Sequence, residues 1–199
     1  MNELDPPKGD RSPACEAKLL DKTLEAFFAP RLKPGSRLCV ALSGGRDSVV
    51  MLHALSRLVL SSEMALQLSA LHVHHGISSN ADAWVEFCVA FCQRCAIPLE
   101  IIHVQVPRDR GEGLEAAARR ERHAVFGNCA ADWLVLAHHR DDQAETVLLN
   151  LLRGSGVAGA AGMLNQRSQN HGPTLVRPLL DVPRLEIESY ASQHSLPWI

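Results

Sequence analysis

The sequence predicts an α/β fold: a doubly wound parallel sheet with helices on both of its faces. Two observations carry this prediction. From residue 37 onward, strand-like and helix-like segments alternate along the chain, which is typical of a doubly wound sheet. The strand-like segments are unbroken apolar runs such as Trp133-Leu134-Val135-Leu136-Ala137, as expected for strands that no face exposes to water.

The elements follow one another in a regular order. Residues 1–17 contain three prolines and are expected to be a flexible extension before a single domain over 18–199. Leucine and phenylalanine spacing predicts an amphipathic helix at 18–28, ended by the prolines that follow it. The alternation then predicts strands at 37–42, 67–73, 99–105 and 133–137 and helices at 47–60, 81–95, 113–128 and 142–152. A glycine-rich loop at 154–162, a strand near 175–179 and a helix near 184–194 complete the chain.

Composition limits the possible functions. With 46% apolar and 21% charged residues, the 199-residue chain is close to the average globular domain. Its net charge of −2 provides no general attraction to nucleic acid, so RNA binding would need a local basic patch or a further domain. No apolar run reaches the roughly 18 residues of a membrane span, and residues 1–17 lack a signal-peptide core. We therefore expect a cytoplasmic protein with no membrane partner, and the oligomeric state stays open.

The segment Ser43-Gly44-Gly45-Arg46-Asp47-Ser48 lies between the first strand and its helix. Ligands of such sheets bind beyond the carboxyl ends of the strands, so this loop is a candidate site. Two glycines allow close backbone approach, and the following helix points free N–H groups at an anion. Ser43 and Ser48 add hydroxyl groups, and Asp47 could hold Mg²⁺. The alternative is an ordinary tight turn in which Ser43 or Asp47 caps the helix.

The loop matches the pattern S-G-G-x-D-S, and in this the chain resembles the PP-loop ATP pyrophosphatases. The common P-loop and the G-x-G-x-x-G dinucleotide pattern are both absent. The resemblance implies the PP-loop, adenine nucleotide alpha hydrolase-like fold, with ATP as cofactor. It also implies that the loop holds the β- and γ-phosphates and that cleavage falls between the α- and β-phosphates.

Two further polar segments follow the second and fourth predicted strands. His72 and His74 share one face of a strand end, and simple hydrogen bonding there is favoured over metal binding, because no set of ligands at zinc spacing is evident. Asp142 and Glu145 are predicted to form a capping box, with Asp142 at the N-cap and Glu145 at the third helical position. The box does not explain three neighbouring ionisable residues, His138, His139 and Asp141, which favours a functional role for them.

Five strings, in order, resemble the tRNA(Ile)-lysidine synthetases, a family of PP-loop ligases. They are HVHHGISSNAD, EAAARRER, LAHHRDDQAET, LLRGSGVAGAAGM and VRPLLDVPR, and the similarity runs from about residue 37 to residue 199. The resemblance implies that ATP adenylates the wobble cytidine of a tRNA(Ile) with a CAU anticodon. The ε-amine of free L-lysine then displaces AMP at C2, which gives lysidine. It further implies that a C-terminal tRNA-binding part is missing from this chain.

The resemblance also assigns roles by position. Ser43, Gly44, Gly45, Arg46, Asp47 and Ser48 would bind the ATP phosphates, with Asp47 holding Mg²⁺. Arg119 would reach the α-phosphate, the alternative being an i,i+4 helix pair with Glu115. Asp141 and Asp142 would meet the lysine or the metal, with their division of labour left open. His138 and His139 would line the nucleotide pocket, and His74, His75 and Gly76 would border the adenosine. The expected catalytic residues are thus Asp47, Arg119, Asp141 and Asp142.

Cys88, Cys92 and Cys95 raise a rival interpretation, since some PP-loop tRNA thiolases hold an iron–sulfur cluster on cysteines. On a helix these cysteines form one apolar stripe with Trp84 and Phe91, which favours core packing. A fourth thiolate could come only from Cys129 further along the chain, at the far end of another helix. A non-catalytic ATP-binding module is the other alternative.

Overall fold

The computed structural model describes residues 13–107, 113–154 and 161–199. The predicted extension up to residue 12 and most of the predicted glycine loop lie outside these ranges. Six helices are present in the described part, at Pro13–Phe28 (α1), Arg46–Ser61 (α2), Ala81–Arg94 (α3), Leu114–Gly127 (α4), Arg140–Leu152 (α5) and Arg184–Gln193 (α6). Six strands are present there, at Arg37–Ala41 (β1), Gln67–His74 (β2), Leu99–His103 (β3), Trp133–Val135 (β4), Gln166–Arg167 (β5) and Thr174–Val176 (β6).

The strands form a single six-stranded sheet in the order β3-β2-β1-β4-β6-β5. All pairings are parallel except that of β5 with β6. From β1 the chain first winds outward through β2 to β3 and then returns to β4 on the other side of β1. The strand order therefore reverses between β1 and β4, which is where an open parallel sheet binds its ligands. The predicted parallel α/β sheet is confirmed.

Alternate side chains of β1 reach two separate cores. Leu38 and Val40 join the larger core, which α1, α2, α3 and α6 cover. Cys39 points to the other face and joins a smaller core that contains Phe126 of α4. A strand whose successive side chains are all apolar is what this burial on two faces requires. Helix α5 differs from the others, because it contains no buried residue.

The ends of most predicted elements differ from the structure by one to three residues, and three differences are larger or affect the site. Helix α1 begins at Pro13 rather than at residue 18, since proline fits the first helical position, where its missing N–H costs nothing. Strand β5 was not predicted, because two polar residues show no periodicity. Helix α5 begins at Arg140 rather than at residue 142, which changes its capping as described below. No helix in the described ranges is long and apolar enough to cross a bilayer.

Candidate nucleotide-binding site

A cavity of about 580 Å³ opens at the carboxyl ends of β1, β2 and β4, where the strand order reverses. Its size suits a nucleotide, because ligand pockets commonly measure roughly 300–1,000 Å³. Most of the residues predicted for the site line it: Ser43, Gly45, Asp47, Ser48, His74, His75, Gly76, Arg119, His138 and Asp142. Four predicted residues do not line it: Gly44, Arg46, His139 and Asp141.

The loop between β1 and α2 is tied together by its two serines. The Ser43 hydroxyl accepts a hydrogen bond from the Gly45 N–H at 3.2 Å, and the Ser48 hydroxyl donates to the Gly45 carbonyl at 2.9 Å. The N-cap of α2 is Gly45, and no side chain caps this helix. The alternative in which Ser43 or Asp47 caps the helix is therefore wrong. The uncapped N–H groups of the first turn stay available to an anion.

Gly44 is the tightest point of this loop. Its φ angle of +88° lies in the left-handed region that favours glycine. The N–H of Ile199 donates to the Gly44 carbonyl at 3.2 Å, and a Cβ on Gly44 would lie 2.6 Å from the Cδ1 atom of Ile199. Ile199 thus packs directly against the loop, a contact that no motif in the sequence indicates.

Arg46 does not line the cavity. Its guanidinium pairs with Glu188 of α6 at 2.7 Å and with its neighbour Asp47 at 3.3 Å. The structure thus places this residue as a link between the loop and α6, and the predicted contact between Arg46 and phosphate stays a prediction.

Two carboxylates converge on His139 at the start of α5. The His139 Nδ1 accepts the backbone N–H of Asp141 at 3.2 Å, so the ring proton lies on Nε2. That Nε2 is 3.6 Å from an oxygen of Asp47 and 3.6 Å from an oxygen of Asp142. The His139 side chain is 5% exposed, which fixes its ring and brings the two carboxylates together.

The capping box of α5 is present but shifted from its predicted position. His139 is the N-cap, and its N–H donates to the Asp142 carboxylate at 2.8 Å. Asp142 therefore occupies the third helical position, and the predicted box of Asp142 with Glu145 is wrong. The reason is that extended backbone at His139 starts the helix two residues earlier. Asp141 contributes its N–H to the cap, and its predicted contact with lysine or metal stays a prediction.

Asp47 and Asp142 are the residues that fit Mg²⁺. The described ranges contain no group of three or more histidine, cysteine, aspartate or glutamate side chains arranged for a metal. Mg²⁺ needs fewer protein ligands, because it is commonly bound by one or two carboxylates together with substrate phosphates and water. Two carboxylates beside an uncapped helix N-terminus agree with that mode of binding.

Three arginines supply positive charge to the same cavity; we call Arg119, Arg122 and Arg177 the arginine cluster. Burial, and then the charge of Arg119, lowers the pKa values of Arg122 and Arg177. Among the described residues, no carboxylate forms an ion pair with any member, so the alternative Glu115–Arg119 pair is not found. Arg177 is buried, Arg122 is half-buried and Arg119 is exposed, so an anionic ligand in the cavity would meet positive charge that no described carboxylate pairs with.

Two members of the arginine cluster were not predicted as site residues. Arg122 lies three residues after Arg119 on α4, a spacing that puts both side chains on one helix face and could have indicated it. Arg177 immediately follows β6, at the same edge of the sheet as the loop, and the position of β6 beside β4 was not evident from the sequence.

The histidines at the carboxyl end of β2 behave as the simpler interpretation expected. His72 Nδ1 lies 2.8 Å from the Leu42 carbonyl, and His74 Nε2 lies 3.0 Å from a carboxylate oxygen of Asp82. Burial lowers the pKa values of His72 and His75, which favours their neutral forms. The Nδ1 of His75 is the one buried side-chain nitrogen or oxygen in the described ranges without a hydrogen-bond partner. A ligand in the cavity could satisfy it.

The cysteine stripe of α3 packs in the core. Cys88 and Cys92 are buried in the larger hydrophobic core, and burial raises the pKa values of their thiols to about 12 and about 11. The described ranges also contain no group of three or more histidine, cysteine, aspartate or glutamate side chains arranged for a metal. The core-packing interpretation is therefore supported over an iron–sulfur site.

A family model described as the PP-loop domain matches residues 17–199. The chain belongs to the PP-loop family. Membership confirms the predicted fold and supports the predicted use of ATP. The chain is 49% identical over 176 residues to the tRNA(Ile)-lysidine synthase of Azoarcus sp. (strain BH72). This alignment covers 88% of the chain and 39% of the relative. The chain is 50% identical over 168 residues to the tRNA(Ile)-lysidine synthase of Xanthomonas campestris pv. campestris (strain 8004), covering 83% and 38%.

These relatives confirm the predicted resemblance to tRNA(Ile)-lysidine synthetases, and this PP-loop chain spans about two fifths of their length. Among solved structures, the U34-tRNA thiolase NcsA from Methanococcus maripaludis, which has a [4Fe-4S] cluster, matches with a TM-score of 0.81 over 94% of this chain and 66% of that chain. At 21% sequence identity this likeness shows the fold alone.

Proposed function

We propose that this chain is the ATP-dependent catalytic part of an enzyme that forms lysidine on tRNA(Ile). The observation that carries the proposal is one cavity that joins an uncapped helix N-terminus, two convergent carboxylates and the arginine cluster. This combination suits a triphosphate with its metal. The sequence identity with tRNA(Ile)-lysidine synthases supports the choice of reaction.

In this proposal each part of the cavity performs one task. The N–H groups at the start of α2 and the serine hydroxyls bind phosphate oxygens. Asp47 and Asp142 hold Mg²⁺, which when bound neutralises phosphate charge. Arg119 stabilises the negative charge that develops as the cytidine oxygen attacks the α-phosphate and pyrophosphate leaves.

The second half of the proposed reaction needs a group that accepts a proton. Lysine is charged at neutral pH, so its ε-ammonium must lose a proton before the nitrogen can attack C2 and release AMP. Asp142 lines the cavity whereas Asp141 does not, which favours Asp142 as the carboxylate that meets the ammonium or the metal. We place the reaction in the cytoplasm, with the CAU anticodon of tRNA(Ile) as the RNA substrate.

A tRNA thiolase of the same fold is the second candidate, because of the structural likeness to the thiolase from Methanococcus maripaludis. The packing of Cys88 and Cys92 in the larger core, and the lack of a metal-binding group among the described residues, argue against it. Measurement of pyrophosphate release with ATP and Mg²⁺ separates the candidates. Lysidine formation requires release that depends on both tRNA(Ile) and lysine. Release that ignores lysine would favour the thiolase, and no release under any condition would favour a nucleotide-binding module.

We also expect the 199-residue chain to bind tRNA weakly by itself. Its net charge is −2, and the arginine cluster lines the cavity, so the chain has only a modest electrostatic footprint for RNA. A filter-binding titration at physiological salt tests this. Tight and specific binding would contradict the expectation.

A further inference from the structure

Arg177 connects two parts of the cavity wall. It is 8% exposed, and its Nε donates to the Nδ1 of His138 at 3.1 Å. Its Nη1 donates to the Leu164 carbonyl at 2.8 Å, and its backbone N–H donates to the Asn165 carbonyl at 2.8 Å. The guanidinium thus joins the histidine after β4 to the segment that leads into β5.

The bond from Arg177 determines the protonation of His138. A guanidinium can only donate hydrogen bonds, so Nδ1 of His138 must accept and cannot carry a proton. The neutral ring therefore carries its proton on Nε2. Addition of a proton at Nδ1 would break this bond and bring two positive charges together.

The surroundings of His138 favour the neutral ring as well. Burial contributes most, and Arg177, Arg122 and Arg119 disfavour the imidazolium while Asp142 favours it. The result is a pKa lowered to about 4. His138 is therefore neutral at physiological pH and keeps the tautomer that the hydrogen bond selects.

The remaining nitrogen of His138 is open to the cavity. Within the described ranges, Nε2 of His138 makes no hydrogen bond. The one buried side-chain nitrogen or oxygen there without a partner is Nδ1 of His75, so Nε2 of His138 is exposed rather than buried. Since His138 lines the cavity, its Nε2–H is accessible to a ligand there.

We propose that Arg177 is a positioning residue: it holds His138 as a neutral Nε2–H donor directed at a phosphate oxygen of the bound nucleotide. Only the identity of the acceptor rests on the proposed function, since the tautomer follows from the protein's own contacts. Lysine at position 177 could keep the charge, but it cannot reproduce two N–H donors held in one plane for His138 and Leu164.

Imidazole ¹⁵N NMR tests the tautomer directly. We expect His138, assigned by loss of its signals in His138→Gln, to show the Nε2–H tautomer and no titration between about pH 5 and 8. In Arg177→Met, the ring should become a mixture of tautomers and its pKa should rise, because an adjacent positive charge is removed. Arg167→Met is the matched control, since it removes an exposed nearby charge that makes no hydrogen bond to His138, and it should keep the wild-type tautomer.

Nucleotide affinity supplies the second readout, by calorimetry with ATP and Mg²⁺. Arg177→Met and His138→Asn should bind at least tenfold more weakly, as expected when a hydrogen bond to a charged group is lost. His138→Gln should bind more tightly than His138→Asn, because its amide can place an N–H near the position of Nε2. If Arg177→Met fails to fold, two other measurements test the inference. These are the tautomer of His138 in the wild-type protein and the relative nucleotide affinities of His138→Gln and His138→Asn.

Two results would overturn the inference. The first is an Nδ1–H tautomer for His138 in the wild-type protein. The second is an Arg177→Met variant that folds and retains both the wild-type tautomer and the wild-type affinity. A protein that shows the expected tautomer but no lysine-dependent pyrophosphate release would refute the proposed function and leave the role of Arg177 intact.

Discussion

Replacement of Gly44 by alanine should lower the free energy of unfolding, mainly because of the backbone conformation at this position. At φ +88°, an L-residue costs about 1–2 kcal/mol relative to glycine. The new Cβ would also lie 2.6 Å from Cδ1 of Ile199, but this side chain is 48% exposed and can rotate away at little further cost. For a chain of this length, 1–2 kcal/mol corresponds to a fall in Tm of about 2–8 °C.

Gly45→Ala is the matched control, because the neighbouring glycine has an ordinary backbone. Its φ is −68°, and a Cβ there would lie 3.4 Å from the Ser43 hydroxyl, which is normal contact. We expect a change in stability of less than about 1 kcal/mol. Gly45 lines the cavity, however, so its new methyl group should hinder phosphate binding. Gly44→Ala should thus lose stability, and Gly45→Ala should lose nucleotide affinity.

Thermal melting and urea titration measure the first effect, and calorimetry with ATP and Mg²⁺ measures the second. Equal losses of Tm in the two variants would refute the backbone reasoning, since Gly44 has a positive φ and Gly45 does not. Full nucleotide affinity in Gly45→Ala would refute the placement of phosphate at this helix N-terminus.

Three further predictions address the chemistry, the pH dependence and the cysteines. Asp47→Ala should abolish AMP formation, because the proposed Mg²⁺ site loses a carboxylate. The Tm should change little, because the Asp47 side chain is more than one third exposed. Loss of cooperative unfolding would instead indicate a structural role. Burial lowers the pKa of His53 to about 4, so between about pH 6.5 and pH 4 the unfolded chain binds a proton that the folded chain does not. The urea midpoint should therefore fall as the pH falls, and it should fall less in His53→Phe. Equal pH dependence of the midpoint in the two proteins would contradict this. Cys88 and Cys92 should resist alkylation at neutral pH in the native protein, and reconstitution with iron and sulfide should give no cluster; fast labelling or a cluster spectrum would favour the thiolase.

The parallel sheet could be predicted from the sequence because strands that are buried on both faces contain consecutive apolar residues. β1 and β4 consist mainly of apolar residues, β2 and β3 contain shorter apolar stretches, and one helix separates each of these four strands from the next. β5 contains no such stretch, since two residues at a sheet edge need not be apolar. Helix starts were less predictable than helix positions: at α5 the histidine before the acidic pair became the N-cap, although aspartate is the commoner capping residue.

The site residues that could be predicted are those that directly follow a strand or belong to a recognisable string. Asp47, His138 and Asp142 meet because β1 and β4 are neighbours and end at the same edge. Composition could not select Arg122 and Arg177 from among the other arginines, and the spacing of Arg122 from Arg119 was the one indication in the sequence. Their role depends on which arginines the fold buries without a described carboxylate, and only the packing of α4 and the pairing of β6 with β4 determine that.

The net charge of −2 did not predict the charge distribution in this cavity, because the fold places acidic and basic side chains on different walls. The carboxylates of Asp47 and Asp142 come from α2 and α5, whereas the arginine cluster comes from α4 and the segment after β6. A nucleotide with its metal would meet both signs at once, so it would be oriented as well as bound. Since Arg177 is buried and Arg122 is half-buried, salt should screen their attraction for ATP less than it screens the attraction of exposed arginines for RNA. Raising the salt concentration should therefore weaken tRNA binding before it weakens nucleotide binding, and the reverse order would mean that the cluster is open to solvent.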